Sequence, residues 1–190
     1  MILIDIGNTN IVLAVSKNKK INNIIRIDSG QEINKLKKII LKIINSFLKK
    51  NTINNSRIAI ICSVVPSLNS FIIKILKINK IKVFVLKSKD ILSYLKIDYN
   101  LNEIGTDRIA NSMAVIDQKI NNSIVIDFGT ATTFEVLKDG TFIGGLIFPG
   151  IDLSKNTLIK KTSLLKNTSI IKTKKILAKS TKESIKSGFY

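Results

Sequence analysis

One device occurs twice in this chain, and it limits the folds open to it. Ile2-Leu3-Ile4-Asp5-Ile6-Gly7-Asn8-Thr9-Asn10 and Ile124-Val125-Ile126-Asp127-Phe128-Gly129-Thr130-Ala131-Thr132 each pass from an apolar run into Asp-x-Gly and small polar side chains. A second apolar run follows each, residues 11–15 in the first copy and Phe134, Val136 and Leu137 in the second. This pattern predicts two matching β-hairpins with polar tips. At each tip an acid can hold a cation or its water shell, and a glycine lets backbone approach a ligand. Hydroxyl and amide donors complete a surface for anionic oxygens. Together the two tips predict a two-sided clamp on a phosphate chain.

Other phosphate motifs lose their support. Asp5-Ile6-Gly7-Asn8-Thr9 is neither Gly-x-x-x-x-Gly-Lys-Ser/Thr nor Gly-x-Gly-x-x-Gly. Histidine is absent and Cys62 is the only cysteine. Ser-His-Asp and Cys-His catalysis, His-based metal triads and intrachain disulfides are therefore excluded. Proton transfer falls to carboxylates. Cys62 lies among apolar residues and reads as a core thiol, and Ser63 and Ser67 flank a Pro turn with no base near in sequence.

With 190 residues, 45% of them hydrophobic, the chain can bury one core or two small ones. We expect one compact unit with two lobes. Lys or Asn interrupts every apolar run before it reaches membrane-spanning length. The N-terminus opens directly on a strand without signal-peptide features, so a cytoplasmic location is expected and no membrane partner. The net charge of +18 invites a nucleic-acid reading. However, the cations are nearly all lysines such as Lys35, Lys37, Lys38 and Lys49, scattered with few aromatics to stack bases. Ile, Lys and Asn dominate throughout, as A/T-rich codons would produce. Arginine is confined to Arg26, Arg57 and Arg108.

Periodicity predicts strands over 21–27, 58–62 and 81–86, and helices over 33–47 and 68–76 with Pro66 near the start of the second. This alternation argues for a mixed α/β sheet. Residues 90–102 read as irregular, and 144–150 as a turn-rich passage leading to a helix near Ile151. Residues 160–179 show a weak, Lys-rich pattern, and a further helix begins at Thr181. Gly105-Thr106-Asp107-Arg108 stands where a loop enters a helix over 109–115. Capping alone accounts for an acid there. Equally, if a small acidic substrate docks, Arg108 can grip its carboxylate through two parallel hydrogen bonds, and Asp107 can accept a hydroxyl proton.

Four motifs carry a resemblance in order along the chain: Asp-Ile-Gly-Asn-Thr at 5–9, Gly-Thr-Asp-Arg at 105–108, Asp-Phe-Gly-Thr-Ala-Thr-Thr at 127–133 and Gly-Gly-Leu-Ile-Phe-Pro-Gly at 144–150. The chain resembles the type III pantothenate kinases, members of the actin-like superfamily of acetate and sugar kinases. The resemblance implies an α/β, duplicated ribonuclease-H-like (actin-like ATPase) fold in two lobes, residues 1–118 and 119–190, with ATP between them. It also implies a homodimer with the pantothenate pocket near the subunit interface. Asp5, Ile6, Gly7, Asn8, Thr9, Asn10, Ile11 and Val12 would form the first ATP phosphate loop, Asp5 organising Mg²⁺ through water. Gly129 and Thr130 would form the opposing wall, and Asp127 would hold K⁺ or NH₄⁺. Asp107 would be the general base on the primary hydroxyl of pantothenate. Gly105, Thr106, Arg108, Thr181 and Tyr99 would contact that substrate, although Tyr99-Asn100-Leu101-Asn102 lacks the proline of the family pattern.

Relatives continue past the position of Tyr190 through further strands and a Gly-Gly segment bordering the adenosine. The expectation is therefore a second lobe truncated at its C-terminus, with exposed sheet edges and nucleotide held mainly by its phosphates. Three alternatives stand beside the kinase: a non-catalytic remnant that binds nucleotide or pantothenate, a nucleic-acid-binding protein, and a polymerising actin-like ATPase.

Overall fold

The computed structural model describes residues 1–18, 20–49, 57–163, 165, 169–173 and 175–190. Contacts gather residues 1–123 and 136–144 into one unit, and 124–135 and 145–190 into a second.

The first unit is built on a five-stranded sheet. Strands β1 (Ile2–Ile6), β2 (Asn10–Lys17), β3 (Lys20–Asp28), β4 (Ile58–Ser63) and β5 (Lys82–Val85) lie in the order β3-β2-β1-β4-β5. The β1/β2 and β2/β3 pairs are antiparallel, while β1/β4 and β4/β5 are parallel. Side chains alternate across a strand, so Ile2, Ile4 and Ile6 share one face with Ile11, Leu13, Val15, Ala59 and Ile61, all buried. Helices α1 (Ile33–Lys49) and α2 (Pro66–Ile78) pack into the same core cluster, through Leu36, Ile40, Ile43, Ile44 and Phe47 of α1 and Ile72, Ile75 and Leu76 of α2. Each fully buried isoleucine here contributes about 1.5–3 kcal/mol, which is why the 3.6-residue stripe of α1 holds against its lysines. Pro66 occupies the first turn of α2, where no backbone donor is lost.

Residues 90–102 are more ordered than expected. A 3₁₀ turn spans Ser88–Ile91, and β6 (Lys96–Ile97) pairs in parallel with β9 (Thr141–Pro149), Lys96 opposite Thr141 and Ile97 opposite Phe142. The Asp98 N–H then donates to the Phe142 carbonyl at 2.8 Å. Helix α3 (Thr106–Asp117) follows and includes three residues of the Gly-Thr-Asp-Arg motif, with Gly105 as its N-cap.

A second sheet has the order β6-β9-β8-β7, with β7 (Ser123–Phe128) and β8 (Ala131–Lys138) forming the predicted second hairpin. The turn-rich passage expected at 144–150 is instead the latter half of β9, and only Gly150 lies outside it, as N-cap of α4 (Ile151–Lys161). Pairing with β8 overrides the local glycine signal, and Gly144 takes up the irregularity at φ +139°. Edge strand β7 exposes Ile124, Ile126 and Phe128. Helix α5 (Thr181–Phe189) begins where predicted. Within the Lys-rich 160–179 stretch, residues 164, 166–168 and 174 lie outside the described residues.

Candidate active site

Tight pairing of Ile6 with Ile11 leaves Gly7, Asn8 and Thr9 as the first tip. The Gly7 N–H donates across it to the Asn10 carbonyl at 2.9 Å. Ser29, just past β3, braces it from the side: its N–H donates to Thr9 O at 2.8 Å and its hydroxyl to Gly7 O at 2.8 Å. Two tip carbonyls are thus engaged, while the Asn8 and Thr9 side chains are exposed. A Cβ at residue 7 would sit 3.1 Å from Asn10 O, tighter than side chains ordinarily tolerate. Asp5 is exposed at the end of β1, whereas Ile6 and Ile11 are fully buried, so any ligand contact of theirs runs through backbone.

Strand β4 ends beside this tip, and its register sets Asp5 opposite Cys62 and Ile6 opposite Ser63. The C-terminal ends of parallel strands are where open α/β sheets bind ligands. Here β4 also receives the start of α3. The Thr106 hydroxyl donates to Ser63 O at 3.1 Å, and the Cys62 thiol donates to Thr106 Oγ1 at 3.5 Å. One residue on, Asp107 Oδ1 accepts the Arg108 N–H at 2.8 Å, capping the helix. A Cβ at Gly105 would collide with that same carboxylate oxygen, so glycine is what lets Asp107 fold back over the helix start. The first tip and the Gly-Thr-Asp-Arg motif therefore share one strand end.

Arg108 is turned inward, 6% exposed, with its guanidinium carbon 5.8 Å from the Tyr99 ring centre and 5.5 Å from that of Phe142. The two rings meet edge to face at 5.7 Å. Tyr99 is thus brought to the motif, and its ring stays partly exposed at the rim. The flat, weakly hydrated guanidinium suits such a buried cation–π contact better than a lysine ammonium would.

Burial pushes the Cys62 thiol up to about 11, the Thr106 hydrogen bond opposes this, and the negative charges of Asp5 and Asp107 add to the rise. The thiol titrates near 9.0 when unperturbed. Above that pH the unfolded chain ionises while the folded chain keeps its proton. Stability present below about pH 9 is then lost towards pH 11, by roughly 2–3 kcal/mol. Urea titrations of the native chain and Cys62→Ala across this range should differ in slope. Parallel slopes would mean that the thiol is not shifted.

In the second unit the other tip repeats the device. The Gly129 N–H donates to Ala131 O at 3.0 Å, and Gly150 N–H to Thr130 O at 2.9 Å. Asp127, Gly129 and Thr130 are exposed. Thr181 is exposed in the first turn of α5, whose N-cap Ser180 accepts the Glu183 N–H at 3.3 Å. Sequence reasoning missed Ser29 and Gly150 as braces of the tips and missed the link from Cys62 through Thr106 to Ser63.

A family model described as type III pantothenate kinase matches residues 1–190. A curated type III pantothenate kinase of Pelagibacter ubique is 38% identical over 189 residues, 98% of this chain and 73% of that protein. The chain belongs to the type III pantothenate kinase family. Among solved structures, a Campylobacter jejuni protein described as a Baf family transcriptional activator is similar at TM-score 0.57 and 22% identity, over 99% of this chain and 73% of that one. That likeness concerns fold alone. The mixed α/β architecture with two sheets expected for the family is the one observed.

A kinase of this family uses ATP with a divalent metal, and the donor set suits Mg²⁺. Among the described residues no group of three or more acidic, Cys or His side chains gathers into a cage. Mg²⁺ characteristically keeps several waters and needs only one or two carboxylates beside substrate phosphates, and the exposed Asp5 at the first tip is such a carboxylate. No helix among the described residues is long and apolar enough to cross a membrane.

Proposed function

We propose that this chain transfers the γ-phosphoryl group of ATP to the primary hydroxyl of pantothenate, yielding ADP and 4′-phosphopantothenate on the route to coenzyme A. The observation that carries this reading is the shared end of β1 and β4. There the exposed Asp5 of the first tip stands opposite Cys62, and Cys62 and Ser63 are hydrogen-bonded to Thr106, the residue before Asp107.

Asp107 accepts the hydroxyl proton as the acceptor oxygen attacks. Gly105 leaves room for that carboxylate, and Arg108 and Tyr99 form the acceptor side of the motif, with Thr181 a further acceptor contact. Residues 5–12, chiefly through the exposed side chains of Asn8 and Thr9, receive phosphate oxygens, with Gly7 keeping the turn free of a side chain. Gly129 and Thr130 offer a second phosphate-binding tip, and Asp127 takes K⁺ or NH₄⁺. Bound Mg²⁺, held through Asp5 and its waters, would neutralise charge on the phosphates. Phosphoryl transfer passes through a loose transition state, so alignment and charge compensation carry most of the rate. The same reading makes the protein a cytoplasmic homodimer.

The test is ADP release by the purified 190-residue chain in ATP, Mg²⁺ and K⁺, with and without pantothenate. Release that requires pantothenate, and that falls when Na⁺ replaces K⁺, is the expected result. A folded sample that binds pantothenate yet forms no product would refute the kinase and leave a binding protein.

A further inference from the structure

The Gly-Thr-Asp-Arg motif contains one hydroxyl, and the structure shows it already engaged. Thr106 Oγ1 donates its proton to Ser63 O at 3.1 Å and accepts the Cys62 S–H at 3.5 Å. The Ser63 side chain is occupied elsewhere, accepting the Val65 N–H at 3.1 Å, which leaves its carbonyl for Thr106. Val64 N–H donates to Ile6 O at 3.0 Å and ties this segment of chain to the base of the first tip. The N-cap itself, Gly105, offers no side chain, and the Asp107 carboxylate caps its own first turn, so the Thr106 hydroxyl is what ties this turn to the end of β4.

We propose that Thr106 and Cys62 are positioning residues, a thiol-to-hydroxyl-to-carbonyl relay that pins the first turn of α3 to the end of β4 and so fixes Asp107 relative to the phosphate tip on β1. The proposal rests on the kinase reading for its catalytic meaning, but not for its geometry. It separates the motif by task. Asp107 handles the acceptor proton, while the Thr106 hydroxyl faces the fold and contributes no contact to substrate. Cys62 lines the β1/β4 side of the relay without nucleophilic duty, its proton serving only as a donor. A misplacement of a catalytic group by an ångström can cost about two orders of magnitude in rate, so a short relay at this point has leverage.

Thr106→Val keeps the shape and removes both hydrogen bonds, leaving Ser63 O unsatisfied. Its kcat should fall about tenfold or more, with KM for pantothenate within about twofold of the native value. Thr106→Ser restores the hydroxyl and should recover most of kcat. Cys62→Ala removes only the outer donor and should cost about threefold in kcat, with Cys62→Ser restoring it. Amide hydrogen exchange supplies a readout independent of turnover. In Thr106→Val the first-turn amides of α3, Arg108 and Ile109, should exchange about tenfold faster while those of β1 and β2 stay protected.

A raised KM with kcat unchanged in Thr106→Val would make Thr106 a substrate contact and overturn the proposal, as would a Thr106→Ser chain no better than Thr106→Val. If the native chain releases no ADP, the kinase reading falls, and exchange alone decides the relay. Unchanged protection of α3 in Thr106→Val then overturns it, and selective loss of protection there upholds it.

Discussion

Asp107→Asn should lower kcat by about 10²–10³-fold while leaving KM for ATP and the melting temperature near their native values. The amide oxygen of Asn can still accept the Arg108 N–H that Asp107 Oδ1 now takes at 2.8 Å, so the helix cap survives. It also presents the same bulk beside Gly105, where a Cβ would collide with the carboxylate. What disappears is the carboxylate that, on the proposed mechanism, takes a proton from the attacking hydroxyl. General bases contribute about 10²–10⁴-fold, and a loose phosphoryl-transfer transition state keeps the loss towards the lower end. Steady-state ADP release in saturating ATP, Mg²⁺ and pantothenate measures it. Gly105→Ala makes the complementary case: the carboxylate stays but is pushed aside, so kcat should fall with the acidic group intact. An Asp107→Asn chain retaining a tenth or more of native turnover would remove Asp107 from the base role.

What could be read in advance follows the range of the interactions concerned. The strands of the first hairpin and the stripe of α1 were legible because both signals are local: period-two alternation in Ile2, Ile4 and Ile6, and 3.6-residue spacing in Leu36, Ile40, Ile43 and Phe47. The two tips were legible because Asp-x-Gly between apolar runs has few other structural readings. Ser29 was not, since its hydroxyl reaches Gly7 across 22 residues of chain and nothing in Asp28-Ser29-Gly30 names that partner. The same holds for Thr106, whose bonds to Ser63 and Cys62 span 43 and 44 residues. Strand β6 is only Lys96–Ile97, too short to show a period, and exists because β9 offers it an edge. At 144–150 the local signal pointed the wrong way. Three glycines and a proline read as turns, yet Leu146, Ile147 and Phe148 suit a strand, and ladder pairing decided between them. The inward-facing Arg108 shows a different limit. Its place in the motif was evident, but its packing against Tyr99 and Phe142 depends on β9 bringing Phe142 beneath it.

Gly150 is where the larger structural effect is expected. Its backbone, φ −63° and ψ 161°, is open to any residue, so no conformational argument requires glycine there. Space does. A Cβ would collide with the Gly129 carbonyl oxygen and lie 2.5 Å from Thr130 O and 2.8 Å from Thr130 C. These are backbone atoms of the second tip, held in turn by the Gly150 N–H to Thr130 O bond at 2.9 Å and by Gly129 N–H to Ala131 O at 3.0 Å. They cannot rotate away as a flexible side chain could. Gly150→Ala must therefore move either the start of α4 or the tip itself, at a cost of about 1–3 kcal/mol or more. Because Gly129 and Thr130 are the proposed phosphate contacts, the damage should also show in function: KM for ATP rises about tenfold or more, with KM for pantothenate much less affected. Thermal melting gives the first effect, and paired substrate titrations of the folded fraction give the second. A Gly150→Ala chain with native melting and a native KM for ATP would show that the corner between β9 and α4 does not shape the second tip.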